Sequence, residues 1–467
     1  MTAEDMKFKR LTDICWREKV FGYIVGPSGV MIINGVIGSY LNMYYTDVLF
    51  ISGTLMVALP ILCRLLNAIT NVIMGLVIDK TKSKWGKARP YILYCAIPFA
   101  ISVILLFGVP NLSKKAMEIW VIITYNLYYC VVLTMYNSSH GLMVPLSTRN
   151  NTDRIQLSVL TNISTNVIAG TVVAAIMPFV VSGFLGYDKS KWIFFMAILS
   201  AISVPLTFAE FLYTKERITE ENAVVKEVNV PIKLQIKAMV TNKYWVMLMI
   251  YSLLTMTIGV IQNLALVYYA RDVLGSINHM ATVSIIGGLP MGIGALIVWP
   301  LCKKFGKRNL TVIGFVFMVT GGVIAMVNPH NLVWVLAGLF IKNIGTIPSA
   351  YVMPAFFADV NEHIEWRQHF RVDGLSSSVL NTMNSVGTGI GTALLNVILL
   401  KSGYEAVISA TGGIQSQSAQ MGIIIAFLGI GIFINLIQGI IIVFFDIENK
   451  MYNISNEIKL RNKNKLG

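Results

Sequence analysis

The sequence predicts an all-α membrane protein with twelve transmembrane helices. Of its 467 residues, 55% are hydrophobic and 13% are charged, whereas a soluble globular domain has about 25% charged residues. The mean hydropathy of +0.68 is also far above that of a chain that folds in water. Apolar stretches of about 20 residues, the length that crosses a bilayer core, recur along the whole chain. These observations exclude a soluble globular domain.

The apolar stretches predict twelve spans that fall into two groups of six. The longest polar interval between spans, residues 214–243, follows the sixth span. We therefore expect an N-terminal six-helix bundle in residues 1–213, a central cytoplasmic loop in 214–243 and a C-terminal six-helix bundle with a tail in 244–467. Within the loop, an amphipathic surface helix is predicted near residues 232–240. The predicted spans are 22–45, 54–78, 91–109, 117–146, 157–183, 192–213, 244–270, 279–301, 309–328, 331–358, 374–400 and 420–445.

The basic residues predict the orientation of these spans. With both termini cytoplasmic, the inner segments hold most of the 37 Lys and Arg, and the outer loops hold few. An excess of Lys and Arg in cytoplasmic loops is the usual determinant of topology. The formal net charge of +14 is explained by the same excess, which an anionic inner leaflet also favours. We expect a multi-pass protein of the cytoplasmic membrane and no nucleic-acid partner.

Twelve spans in two groups of six favour two pseudo-symmetric bundles, the major facilitator fold, in which the bundles rock around a midplane site. One loop is more specific than this architecture. The segment "DKTKSKWGKARP" (Asp79 to Pro90) follows the second span, and a weaker echo, "KKFGKRN" (Lys303 to Asn309), follows the eighth. Topogenic charge explains the Lys and Arg of this loop but not the order W-G-K-x-R-P.

Five motifs in order along the chain resemble one transporter family. They are "YYTDV" (44–48), R-x-x-N-A-x-x-N-x-x-M-G (64–75), the loop 79–90, "NIGT" (343–346) and "ADVNEHIEW" (358–366), which is followed by Arg371 and by "GY" at 403–404. Together they resemble the glycoside-pentoside-hexuronide:cation symporter family, from about residue 20 to residue 445. The resemblance implies a symporter that moves a sugar or glycoside with Na+, Li+ or H+.

The residues of this chain depart from the family's site at most of its charged positions. The two family acids of the second span fall at Asn67 and Asn71, and the acid of the fourth span falls at Asn137. The family lysine of the eleventh span falls at Ser385, beside Asn384. Amides carry no charge with which to offset the dehydration of a cation. We therefore expect H+ rather than Na+ as the coupling ion, with neither a metal nor a cofactor.

Asn67 and Asn71 lie one helical turn apart, with Arg64 one turn earlier, so the three side chains share one helix face. The family positions favour a role in lining the substrate cavity. The alternative is interhelical hydrogen bonding, which is common for polar side chains in membrane helices.

Charged groups inside the spans are functional candidates because burying a charge in lipid is costly. Arg64 and Lys342 without a deep acid favour an anionic or strongly polar solute. His140 is either the carrier of a coupling proton or a neutral, hydrogen-bonded side chain. The predicted substrate-binding residues are Asn34, Arg64, Asn67, Asn71, Asn137, His140, Lys342, Asn384 and Ser385.

Charged residues near the cytoplasmic ends of the spans predict a gate, because salt bridges across these loops would form in one state and break in another. The predicted gate residues are Asp79, Lys80, Arg89, Arg149, Asp359, Glu365 and Arg371.

The sequence thus predicts a monomeric secondary transporter or permease for a sugar, glycoside, uronide or related polar solute in the lipid bilayer. It is not expected to be an enzyme, because we find no nucleophile, metal or phosphate motif. The alternatives are a non-transporting sensor or regulatory relative of the same fold and an H+-coupled transporter of a non-sugar organic anion.

Overall fold

The protein is all-helical throughout the part of the chain that the computed structural model describes, residues 14–148, 151–217, 231–370 and 372–451 with 453, 454 and 457. Over these residues, ten helices are long and apolar enough to cross a membrane, and a further apolar helical stretch, Val172–Leu185, is shorter. Each predicted span coincides with one helix. The long helices are α1 (Glu18–Val48), α2 (Gly53–Lys80), α3 (Arg89–Phe107), α4 (Lys114–Ser147), α5 (151–185), α6 (Lys189–Tyr213), α7 (Lys243–Val273), α8 (His279–Phe305), α9 (Lys307–Val327), α10 (Leu332–Gln368), α11 (Asp373–Lys401) and α12 (417–443).

The chain forms two compact units. The first comprises Met1–Lys226 with Ala406–Gly413, and the second comprises Glu227–Glu405 with Ile414–Gly467. The predicted surface helix is present as Ile232–Val240. It buries Ala238 and Met239 and exposes Ile232, so one face packs on the second unit and the other is free for the membrane interface.

Both units use the same helix pairings, as the predicted pseudo-symmetry requires. In the first unit α6 packs on α1 and α3, α4 packs on α2 and α3, and α5 packs on α1. In the second unit α12 packs on α7 and α9, α10 packs on α8 and α9, and α11 packs on α7. Adding six to the number of each helix in a first-unit pair gives the corresponding pair in the second unit. The major facilitator fold is thus confirmed.

The repetition extends to one end of each unit. The first helix of each unit ends in a π-helical turn, Tyr44–Val48 ("YYTDV") in α1 and Tyr269–Val273 ("YARDV") in α7. The hydroxyl of Tyr44 donates to the carbonyl of Phe107 at 2.6 Å, and the hydroxyl of Tyr269 donates to the carbonyl of Pro329. Each tyrosine therefore satisfies a carbonyl at or just beyond the end of the third helix of its unit.

At the opposite end of the first unit, a carboxylate caps α3. The backbone N–H groups of Lys87, Ala88 and Arg89 donate to the Glu216 carboxylate at 2.7, 2.8 and 2.6 Å. A helix N-terminus offers unpaired N–H groups and a positive dipole end, so an anion is stabilising there. Gly86 has a φ of +109°, and a Cβ at this position would lie 2.3 Å from the Glu216 carboxylate. Glycine is therefore required on both conformational and steric grounds.

The aromatic and basic residues of this loop hold it against the end of α6. Arg89 donates through Nε to the carbonyl of Phe211 at 2.8 Å, and its guanidinium lies 4.5 Å from the centroid of the Phe211 ring. Trp85 meets the same ring edge to face at 5.6 Å. The order W-G-K-x-R-P thus combines two residues that contact Phe211, Trp85 and Arg89, with one turn whose backbone N–H groups donate to Glu216.

The second unit repeats this carboxylate cap in the weaker motif. Gly306 has a φ of +79°, and the backbone N–H groups of Lys307 and Arg308 each donate to the Glu448 carboxylate at 2.8 Å. Arg308 also donates to the carbonyl of Val443, near the end of α12. Each unit therefore joins the loop after its second helix to an acid just after its sixth helix.

The first residues of the predicted central loop belong to the first unit. Arg217 forms a two-pronged ion pair with Glu18 at 2.7 and 2.6 Å, and the Glu18 carboxylate raises the pKa of the Arg217 guanidinium above its ordinary value. The Ser147 hydroxyl donates to the carbonyl of Lys215 at 3.0 Å. Residues 214–217 thus tie together the ends of α1, α4 and α6.

Replacement of the cap should destabilise the protein. Glu216→Gln removes the negative charge that accepts three N–H groups, so the free energy of unfolding should fall by about 1.5–3 kcal/mol, the range for hydrogen bonds to charged groups. Glu448→Gln should act in the same direction through the second unit. The measurement is the melting temperature of the purified variants in detergent.

The exposed carboxylate Glu405 provides the matched control, since Glu405→Gln should change the free energy of unfolding by less than about 0.5 kcal/mol. Equal melting of Glu216→Gln and Glu405→Gln would contradict a stabilising cap.

Candidate functional site

The second unit contains an open, mainly neutral cavity between α7, α10 and α11. Its volume is about 450 Å³, within the range of small-molecule sites. Apolar side chains such as Met256, Ala350 and Phe357 form part of its wall. Among the described residues that line it there is no Asp, Glu, Lys or Arg. Its polar lining residues are Tyr251, Ser252, Thr255, Thr346, Ser349 and Asn384.

Hydrogen bonds orient several of these polar groups. Ser252 donates to the side-chain oxygen of Asn384 at 2.6 Å, which joins α7 to α11. Thr255 accepts from the Gln438 amide of α12 at 2.7 Å, and Ser349 donates to the carbonyl of Thr346 at 2.9 Å. The cavity thus presents hydroxyl and amide groups whose positions are fixed by neighbouring helices.

Of the residues predicted from the eleventh span, Asn384 lines this cavity and the adjacent Ser385 is only partly buried and does not line it. Ala350 is exposed in the cavity wall.

Lys342 lies on α10 one turn before Thr346, and its amino group donates to the side-chain oxygen of Gln262 at 2.6 Å. The Gln262 amide in turn donates to the carbonyl of Phe427 at 3.3 Å. The lysine is therefore bound to a neutral amide rather than to a carboxylate. Its positive charge keeps an attraction for an anion that can reach it.

Asn67 connects α2 to α4 in the first unit. Its side chain is 7% exposed and donates to the carbonyl of Tyr129 and to the hydroxyl of Thr134, both at 2.8 Å. Its side-chain oxygen accepts from the amide of Asn71 at 2.7 Å. All of these contacts lie within the protein, so the geometry favours the interhelical alternative for Asn67.

The other predicted residues of the first unit surround this connection. Asn71 is exposed, as is Asn137 on α4. Arg64 is partly buried, with its guanidinium 5.0 Å from the centroid of the Tyr129 ring, a cation–π contact. Asn34 on α1 accepts from the hydroxyl of Tyr128 at 3.4 Å. Arg64, Asn67 and Asn71 form a polar stripe on one face of α2.

His140 has a partner that the sequence analysis did not assign to it. Its Nδ1 lies 2.6 Å from a carboxylate oxygen of Glu210, and the Tyr136 hydroxyl donates to the other oxygen at 2.7 Å. Glu210 is 0% exposed and His140 is 8% exposed. A buried acid and a buried imidazole thus form a direct pair between α4 and α6.

Two of the predicted gate residues, Arg89 and Asp359, make contacts inside their own units. Arg89 binds the Phe211 carbonyl, as described above, and Asp359 forms an ion pair with Lys307 in the second unit. Lys80 is exposed at the end of α2, and Glu365 is partly buried in the last turn of α10. The predicted gate residues Arg149 and Arg371 and the side chain of Asp79 lie outside the described residues.

A family model described as MFS/sugar transport protein matches residues 22–449, nearly the whole chain. The chain belongs to this family. MFS/sugar transport proteins are membrane transporters and not enzymes, so the predicted function as a secondary transporter of a sugar-like solute is confirmed, and so is the predicted resemblance.

Individual relatives agree with this assignment. The chain is 27% identical over 398 residues to an isoprimeverose transporter of Lactiplantibacillus pentosus, covering 84% of this chain and 81% of the relative. It is 25% identical to a glucuronide carrier protein homolog of Escherichia coli, covering 96% and 97%. The solved D-xylose-proton symporter shares the fold, with a TM-score of 0.60 and 13% identity over 91% of this chain and 97% of that one.

Sequence reasoning missed two parts of this family member's polar interior. The sequence analysis found no deep acid, because Glu210 lies near the end of a span and its partner His140 is 70 residues away. Ser252, Thr255, Thr346 and Ser349 were missed because hydroxyls are common in membrane helices, where they bond their own backbone. The available signal was their spacing of three residues within α7 and within α10, which places each pair on one helix face.

Removal of the Asn67 amide should lower the stability of the protein and leave solute binding largely intact. Asn67→Ala removes the amide that donates to the Tyr129 carbonyl and the Thr134 hydroxyl, and polar contacts between membrane helices contribute about 0.6 kcal/mol on average and up to about 1.7. The measurement is the melting temperature of the purified variant, with the exposed Asn137→Ala as the matched control. A variant that melts like wild type and loses solute binding would identify Asn67 as a binding residue instead.

Proposed function

We propose that this MFS/sugar transport protein moves a neutral sugar or glycoside by alternating access, with the second-unit cavity as a principal part of its binding site. We further propose that it acts as a monomer in the cytoplasmic membrane, with both termini cytoplasmic, and that its coupling ion is H+ rather than Na+.

The chemistry of the cavity carries this proposal. A sugar presents hydroxyl groups at its edges and C–H groups on its faces. The hydroxyls of Ser252 and Thr346 and the amide of Asn384 can exchange hydrogen bonds with the former. Apolar and aromatic side chains such as Phe357 can pack on the latter. A site of this kind binds a polyhydroxylated solute without requiring a charge on it.

The neutral residues of α2 support H+ over Na+. A dehydrated Na+ ion requires several oxygen ligands and gains most from carboxylates. Asn67 and Asn71 bring no negative charge, and the Asn67 side-chain oxygen already accepts a hydrogen bond from Asn71. The neutral side chains of this stripe on α2 therefore do little to offset the free-energy cost of removing the hydration shell of Na+.

A uronide is the second candidate solute, and Lys342 is the observation that favours it. Its amino group faces a neutral amide, and Thr346, one turn further along α10, lines the cavity. A carboxylate on the sugar would supply the charge that Gln262 lacks. The glucuronide carrier homolog of Escherichia coli is a relative whose name is consistent with such a solute.

Ligand-dependent melting of the purified protein tests the proposed function. The probes are isoprimeverose, methyl β-D-glucoside and methyl β-D-glucuronide, each with Na+ and with K+ in its place. Binding to the folded state raises stability by RT ln(1 + [L]/Kd). We expect stabilisation by at least one glycoside with no difference between Na+ and K+. Stabilisation that requires Na+ would contradict the proposed coupling ion, and no stabilisation by any sugar would contradict the solute class.

Asn384→Ala should weaken glycoside binding. Loss of one side-chain hydrogen bond in a partly buried site costs about 1 kcal/mol, so the Kd should rise about five-fold, and more if Ser252 loses its orientation as well. The measurement is the Kd for the glycoside that stabilises the wild-type protein. Thr382→Ala is the control, because Thr382 is exposed on the same helix and donates to its own backbone at Ser378. An equal Kd for both variants would remove Asn384 from the site.

Lys342→Gln should change the preference between charged and neutral solutes. The substitution removes the positive charge and keeps a donor for Gln262, so binding of methyl β-D-glucuronide should weaken relative to methyl β-D-glucoside by about ten-fold or more if the carboxylate binds there. The ratio of the two Kd values is the measurement. An unchanged ratio would exclude Lys342 as the carboxylate-binding group and leave the neutral glycoside as the solute.

A further inference from the structure

The most deeply buried ionisable pair described in the first unit is His140 with Glu210. The acid lies on α6 and the imidazole on α4, and both side chains are more than nine-tenths buried. The ring of Tyr136 stacks on the imidazole, with centroids 5.4 Å apart and planes 9° from parallel. Neither the resemblance nor the comparisons assign a role to this pair.

The hydrogen bonds of the pair account for one proton between its two members. At 2.6 Å, one proton lies between the imidazole Nδ1 and the Glu210 carboxyl, while the second carboxyl oxygen accepts from Tyr136. When the pair holds this one shared proton and Nε2 is bare, it carries a net charge of −1. Binding one more proton makes the pair neutral. A proton gained or lost here changes the net charge of a buried site, where an uncompensated charge is costly.

Among the described residues, no Lys or Arg forms an ion pair with Glu210 in place of the proton; its ion-pair partner is His140. Other titratable groups near Glu210 are Tyr23 on α1 and Cys95 on α3, and Arg89 at the start of α3 donates to the carbonyl of Phe211, the next residue along α6. Arg217 lies further along the same end of the unit and is bound at both prongs to Glu18. On α2, the side chain of Asp79 lies outside the described residues. The α1 backbone at Gly26 closes one side, since a Cβ there would lie 2.6 Å from the Glu210 Cβ.

The second imidazole nitrogen links this proton to conformation. Among the described residues, Nε2 of His140 is buried and has no hydrogen-bond partner. A bare Nε2 lone pair is tolerated at modest cost, whereas an Nε2–H on an imidazolium is a charged donor that requires an acceptor. Proton uptake therefore favours any rearrangement of α4 against its neighbours that supplies an acceptor. Such a differential preference is what allows one ligand to shift a conformational equilibrium.

We propose that the His140–Glu210 pair is the site that binds and releases the coupling proton. This inference rests on the proposed function as an H+-coupled transporter. The step involves no other bond: one proton joins the pair on one side of the membrane and leaves it on the other. Tyr136 is a positioning residue that holds the carboxylate and does not carry the proton.

Titration of the pair is the first test and needs no solute. The protein is labelled with 15N-histidine, and the His140 signal, assigned by its loss in His140→Gln, is followed between pH 5 and pH 9. We expect a protonation step that is abolished or moved by more than one pH unit in Glu210→Gln. Tyr136→Phe removes a donor to the carboxylate and should move the midpoint to higher pH. The exposed His330 gives the control variant, His330→Gln, which should leave the step unchanged.

A His140 signal that stays in one protonation state from pH 5 to pH 9 would overturn the proposal. So would a step that is identical in wild type and in Glu210→Gln.

Transport in proteoliposomes is the second test, with methyl β-D-glucoside and isoprimeverose as probes. Glu210→Gln has nearly the shape of the native side chain, so solute counterflow should persist at a comparable rate. Accumulation driven by a pH gradient should fall at least ten-fold, because the pair can no longer exchange a proton. Counterflow without accumulation supports the proposal, and accumulation equal to that of wild type overturns it. Absence of counterflow by the wild-type protein would instead refute the proposed function, and the titration would still decide whether the pair binds a proton.

Discussion

A helical bundle in lipid has no water to satisfy its polar groups, and this constraint governs the placement of nearly every polar side chain described above. Asn67 and Gln262 bond to neighbouring helices, and Lys342 bonds to Gln262. The same constraint acts on backbone groups at helix ends, where Glu216 and Glu448 accept otherwise unpaired N–H groups. Polar residues in this chain therefore mark where helices are joined, and a polar side chain inside a span is not by itself a sign of a binding site.

The two carboxylate caps explain why the loop motif has a fixed residue order. A string of topogenic Lys and Arg could be permuted without changing the topology of the chain. The residues of a turn that places consecutive N–H groups on one carboxylate cannot be permuted, because the turn requires a positive φ at Gly86 and no side chain between that residue and Glu216. The weaker echo at Gly306 keeps a positive φ and a capping glutamate, Glu448, but lacks the tryptophan. The similarity between the halves of the sequence is therefore strongest where backbone geometry is the constraint.

The sequence was sufficient to predict the fold, because span length, hydropathy and basic-residue distribution are properties of local segments. The short helix at Ile232–Val240 was also predictable, since its pattern is contained in nine residues. Side-chain contacts between residues far apart in the sequence could not be predicted. The contact between His140 and Glu210 joins residues 70 apart, and the contact between Lys342 and Gln262 joins residues 80 apart. Neither follows from spacing on one helix, and each changes the chemical meaning of the residue concerned. Asn67 illustrates the same limit, since a buried amide on a helix face reads equally as a ligand and as an interhelical contact until its partner is known.

The neutral character of the second-unit cavity has a consequence for the rate of turnover. A site that held its solute through buried ion pairs would have to break them before release, and the solute would leave slowly. Hydroxyl and amide groups such as those of Ser252 and Asn384 can exchange one hydrogen-bond partner for a water molecule at little net cost. If the proposed site is correct, water that enters the open cavity can replace the solute one contact at a time. A binding site of modest affinity and rapid exchange suits a carrier, whose output depends on how often it empties.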